Sequence, residues 1–101
     1  MYRAPFPAPF PGDPDYIFDN AVFQALGHPS NRHILKLLSV RPMTEFDLAQ
    51  QLADHHSLGE WLPHLVASGL VGIAGSGHQA VYRLERAGLA RVARWISSFD
   101  P

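Results

Sequence analysis

A chain of 101 residues has room for one domain and one modest core, and 47% hydrophobic with 17% charged residues is the composition of a folded globular protein. Its formal net charge of −1 provides no global positive field to draw a nucleic acid. The absence of cysteine excludes disulfides, thiolate metal sites and thiol redox sensing. No apolar run reaches membrane-spanning length and the N-terminus lacks the order of a signal peptide, so residence is expected to be cytoplasmic, without a membrane partner.

Residues 1–14 carry Pro5, Pro7, Pro9, Pro11 and Pro14 interleaved with Tyr2, Phe6 and Phe10. That proline density forbids helix and predicts an extended arm, as a solvated tail, a strap whose aromatics pack on a partner subunit, or a ligand for an SH3-type domain. Residues 15–101 are expected to form the folded domain. From Asp15, Ile17, Phe18, Ala21, Val22, Ala25 and Leu26 recur at helical spacing and Gly27 ends the run. Pro29 suits the first position of a second helix to about Val40, with Ile34, Leu35, Leu37 and Leu38 inward, and Arg41-Pro42 closes it.

Thr44-Glu45-Phe46-Asp47 and Ser57-Leu58-Gly59-Glu60 both read as capping boxes. They predict a helix over 44–53 burying Phe46, Leu48 and Leu52, and another over 57–68 burying Leu58, Trp61, Leu62 and Leu65, with Gly69 just past its end. Two short helices on so tight a connection make a helix-turn-helix. The period then changes to two. Residues 70–73 and 80–84 read as strands joined through Gly75-Ser76-Gly77-His78, a wing, and Leu89, Val92, Ala93, Ile96 and Phe99 mark a last amphipathic helix. The expected fold is mainly α with a small β-hairpin, a winged helix-turn-helix in the order ααααββα.

Several of these segments resemble the ArsR/SmtB family of winged-helix repressors. They are Ala25-Leu26-Gly27-His28-Pro29 with Arg32 and Ile34-Leu35, Phe46-Asp47-Leu48-Ala49, Leu65-Val66-Ala67-Ser68-Gly69-Leu70-Val71, and Val81-Tyr82-Arg83-Leu84. The resemblance covers residues 16–99 and implies a homodimer paired through its first and last helices, with two recognition helices entering successive major grooves of double-stranded operator DNA. It places the dimer seam on Phe18, Val22, Leu89, Val92, Trp95, Ile96 and Phe99. Trp95 stands beside the stripe, as an interface anchor would. The DNA contacts fall on Thr44, His55, His56, Ser57, Gly59 and Glu60, with His78, Gln79, Arg83 and Arg86 on the wing.

Gly59 and Trp61 stand where relatives often carry a Ser-x-His, a first departure from the family pattern, and Pro63 is the second. The stretch Thr44–Glu60 holds Glu45, Asp47, Asp54 and Glu60 without one Lys or Arg, whereas Arg83, Arg86, Arg91 and Arg94 follow it. Pro63, at the sixth position of the reading helix, is expected to kink or shorten it, unless the helix proper begins near Leu62. An acidic, interrupted reading helix suits a second role, contact with a protein partner. Relatives often sense metal ions, but Glu85–Asp100 contains no His, and His28, His33, His55, His56, His64 and His78 read as surface or capping residues, so no metal site and no cofactor are expected. Nothing in the sequence forms a triad, a phosphate-binding loop or a carboxylate pair, and the chain is not expected to be an enzyme.

Overall fold

Proline in the first turn of a helix costs no hydrogen bond, and both N-terminal helices begin with it: α1 spans Pro14–Leu26 and α2 spans Pro29–Val40. The computed structural model describes residues 14–53 and 55–100. The arm predicted over residues 1–14 lies outside the described residues, except Pro14, which opens α1. Between the two helices Asn31 is fully buried, and its Nδ2 donates to the Ala25 carbonyl at 3.1 Å, one of the acceptors that the end of α1 leaves without a helical partner. Arg41, extended ahead of Pro42, ends α2 as expected.

The chain next forms a two-residue strand the sequence did not announce, β1 (Met43–Thr44). Thr44 then caps α3 (Glu45–Gln51): its hydroxyl accepts from the Asp47 N–H at 3.1 Å, and its own N–H donates to the Asp47 carboxylate at 3.4 Å. The second predicted capping box does not form. A 3₁₀ turn over His55–Ser57 leads directly into α4 (Leu58–Ala67), which holds Ser57 in the right-handed helical region (φ −87°, ψ −1°) with no side-chain cap bond. An N-cap hydroxyl reaches the helix amides from extended backbone, so the preceding turn precludes it.

The alternative of a start near Leu62 does not hold: the helix runs from Leu58 through Pro63 to Ala67. Pro63 and Gly59 both lie on its exposed side, where water can take up the carbonyl that the missing donor frees. A Schellman closure follows. Gly69, at φ +82°, donates to the Val66 carbonyl and Leu70 to that of Leu65.

The wing is β2 (Val71–Ala74) and β3 (Val81–Leu84), joined through a 3₁₀ turn at Gly77–Gln79. The sheet is antiparallel in the order β1-β3-β2, with Met43 opposite Tyr82 and Val71 opposite Leu84. Finally α5 (Arg86–Ser97) returns across the base of the wing. The order is the expected ααααββα with β1 added, a winged helix-turn-helix. Among the described residues no helix is long and apolar enough to cross a membrane.

One core serves all the elements. Val22 and Ala25 of α1, Ile34, Leu35 and Leu38 of α2, Leu48 of α3, Leu58, Leu62 and Leu65 of α4, and Leu70 and Val71 are buried together. Phe46 was expected among them and is instead 70% exposed. Two helical positions are about 200° apart around the axis, so a seven-residue helix that buries Leu48 turns Phe46 outward. Gly88 fixes where α5 crosses: a Cβ there would run into the Gly69 carbonyl, and the Glu85 N–H donates to the Leu70 carbonyl at 2.9 Å beside it.

Candidate nucleic-acid interface

Burial of Leu58, Leu62 and Leu65 decides which side of α4 faces outward, and Gly59, Glu60, Pro63, His64 and Ala67 are the exposed residues. That surface holds one carboxylate and one imidazole. Trp61 is half-buried, its ring 4.3 Å from that of His28 at the α1–α2 corner and 5.5 Å from His64. With Ala21, Gln24 and Ala25, this edge of α4 borders a cleft against α1. The side of the reading helix toward α1 is thus committed to packing.

The residues expected to touch DNA divide into groups. Thr44 has its hydroxyl engaged in the cap of α3. His55 and His56 lie in the 3₁₀ turn ahead of α4, where His56 is exposed and the side chain of His55 is outside the described residues; Ser57 is half-buried at the head of α4. Glu60 and Gly59 are open to solvent in its first turn, and the Gly59 position lies near the Glu45 carboxylate. His78 and Gln79 are exposed at the tip of the wing, and His78 joins Glu45, Phe46, Ala49 and Leu58 around one cavity. The structure therefore brings the wing tip to the helix-turn-helix.

Arg83 and Arg86 stand apart from that cavity. Arg83 pairs with Glu85 at 2.8 Å, which spends part of its charge within the wing. Arg86, at the start of α5, lines a different groove together with Arg32 and Lys36 of α2. In the sequence Arg32 stood out only as part of the resemblance and Lys36 not at all; their i, i+4 spacing was the signal available. Arg41, also overlooked, lies 3.8 Å from the Asp47 carboxylate.

Electrostatically the acidic character read from residues 44–60 extends further, since no Lys or Arg occurs between Arg41 and Arg83. Tyr82 on the wing feels it. Burial, and secondarily the Glu45 carboxylate, push its phenol above the usual tyrosine range. Among the described residues no three His, Asp or Glu side chains are grouped as metal ligands.

The expected dimer seam is only partly at the surface. The side chain of Phe18 lies outside the described residues, and Val22, 1% exposed, is consumed by the intramolecular core rather than presented to a partner. Leu89 and Val92 are half-buried against that core. Trp95 is 50%, Ile96 57% and Phe99 70% exposed, and Trp95 contacts Phe23 of α1 and Phe99 edge-on at 5.0 and 4.9 Å. Phe23, absent from the expected seam, completes this aromatic patch.

No family model and no curated protein matches the sequence. In structure, the chain is similar to an ArsR family transcriptional regulator at 26% identity, with a TM-score of 0.74 over 82% of this chain and 87% of that one. An ArsR-like transcriptional regulator from Rhodococcus sp. RHA1 matches at 28% identity and TM-score 0.74, over 82% and 77% of the two chains. A possible transcriptional regulator for arsenical resistance matches at 28% identity and TM-score 0.68, over 78% and 83%. The fold is the ArsR-like winged helix that the sequence resembles.

Proposed function

We propose that this chain is a cytoplasmic DNA-binding transcriptional regulator, a repressor and not an enzyme, acting as a homodimer on double-stranded operator DNA. One observation carries the reading: α3, α4 and the wing follow one another as in ArsR-family transcriptional regulators, over most of both chains. Paired through α1 and α5, two α4 helices and two wings would address half-sites about 34 Å apart, one helical turn. The exposed Trp95, Ile96 and Phe99 support the pairing, because they form an apolar patch on a terminal helix. Without cysteine, regulation by a thiolate-bound metal has no ligands to use. The residues before Pro14 serve as an arm to the domain that α1 opens.

A second reading has its own observation. The exposed surface of α4 bears Glu60 and no Lys or Arg, which suits a winged-helix dimer that contacts a protein partner and has lost its grip on DNA. A mobility-shift titration on the DNA upstream of its own gene, repeated from low to moderate salt, separates the two. Specific binding with a steep negative salt slope establishes the first reading, and no shift even at low salt establishes the second.

A further inference from the structure

Three basic side chains converge on one groove, with no counter-charge among the described residues. Arg32 and Lys36 come from consecutive turns of α2 and Arg86 from the first turn of α5, and they share a cavity of about 380 Å³ with Leu26, Leu35, Leu84 and Leu89. No acidic residue among the described ones lines it. Among the described residues, Asp47 pairs with Arg41 and Glu85 with Arg83, and no carboxylate pairs with Arg32, Lys36 or Arg86. Arg32 is held in place through its bond to the Leu26 carbonyl at 2.8 Å, so its guanidinium is positioned before any ligand arrives. A volume of this size is at the low end of the roughly 300–1,000 Å³ typical of small-molecule sites.

We propose that this groove binds a small organic carboxylate with a hydrocarbon body, the carboxylate among the three cations and the hydrocarbon on the leucines. Either half of the chemistry alone fits poorly. A bare anion, a duplex phosphate included, leaves the leucines wet, and an uncharged hydrocarbon leaves three like charges facing one another uncompensated. The ligand spans α2 and the start of α5 and occupies Arg86, a residue assigned above to DNA phosphate. Its role as an effector therefore rests on the DNA-binding reading, whereas the binding itself does not.

The test uses the full chain without DNA, so its failure is distinct from failure of DNA binding. Isothermal titration with octanoate is expected to give saturable binding at one site per chain. Hexanoate, two methylenes shorter, should bind about fifteenfold more weakly, since each buried methylene is worth about fourfold in affinity. Octanol and acetate should show no saturable binding. Lys36→Gln and Arg86→Gln, neither of which removes a side-chain hydrogen bond among the described residues, should each weaken octanoate about tenfold while leaving the thermal midpoint in place. Arg32 is left intact because its bond to Leu26 serves the fold. Absence of saturable octanoate binding, equal binding of octanol, or octanoate affinity unchanged in both variants would each overturn the proposal.

Discussion

The indole of Trp61 on α4 leans on the imidazole of His28 at the α1–α2 corner, ring centroids 4.3 Å apart and planes inclined by 39°. This contact, added to the buried leucines beneath, sets how the reading helix stands on the body of the domain. Trp61→Ala should therefore destabilise the chain by about 2 kcal/mol, the aromatic contact together with the half-buried area it covers, while Trp61→Phe should lose less than half of that. Urea unfolding monitored by far-UV dichroism measures both; an alanine variant as stable as the parent would show that the corner holds without the ring.

Two glycines in helices should respond oppositely to the same change. Gly59 faces solvent in α4, and a Cβ there meets only the Glu45 carboxylate at 3.6 Å, so Gly59→Ala should stabilise by about 0.5–1 kcal/mol through backbone entropy. Gly88 abuts the Gly69 carbonyl, and its alanine variant must move backbone, for a net loss of roughly 1–2 kcal/mol. For a domain of this size each kcal/mol displaces the thermal midpoint by about 4–8 °C, well within calorimetric resolution.

Association should depend on the patch of Phe23, Trp95 and Phe99. Trp95→Ala removes the ring that touches both others and should raise the dimer dissociation constant at least about tenfold, as truncation of an aromatic anchor does. Half-exposed Trp95 contributes little to the core, so the helical dichroism should persist. Sedimentation velocity across a dilution series reads the outcome, and an unchanged dimer would count against the α1–α5 seam.

Tyr82 makes stability fall at alkaline pH. Its phenol is raised in the folded state, by burial first and by Glu45 second, so the folded chain holds the proton more firmly than the unfolded one. The contribution is fully present below the ordinary tyrosine value near 10 and is lost as pH rises through the folded value. Denaturation between pH 9 and 11 should show this slope in the parent and a smaller one in Tyr82→Phe. Identical slopes would assign the effect elsewhere.

Patterns carried by several residues at a regular period were readable from sequence, and those decided by a single neighbour were not. The leucine periodicity of α2, the Gly69 closure and the alternation of β3 each involve local preferences that agree with one another. Ser57-Leu58-Gly59-Glu60 has the same spelling as the working cap at Thr44, yet a 3₁₀ turn before it takes away the extended backbone on which the cap depends. Strand β1, two residues long, exists because Met43 and Thr44 meet Tyr82 and Val81 from the far end of the chain. In the candidate interface the acidic stretch was legible, whereas the pairing of Arg83 with Glu85 and the meeting of Arg86 with Arg32 and Lys36 depend on the path of α5.

That path has a mechanical consequence. Where Gly88 rests on the Gly69 carbonyl, the last turn of α4 and the first turn of α5 share one rigid corner, with the Glu85–Leu70 bond as its brace. Were two copies to pair through α5 as proposed, rotation at the seam would reach the reading helices through this corner, as through a bell-crank, and the glycine contact would help set the spacing that the pair could span.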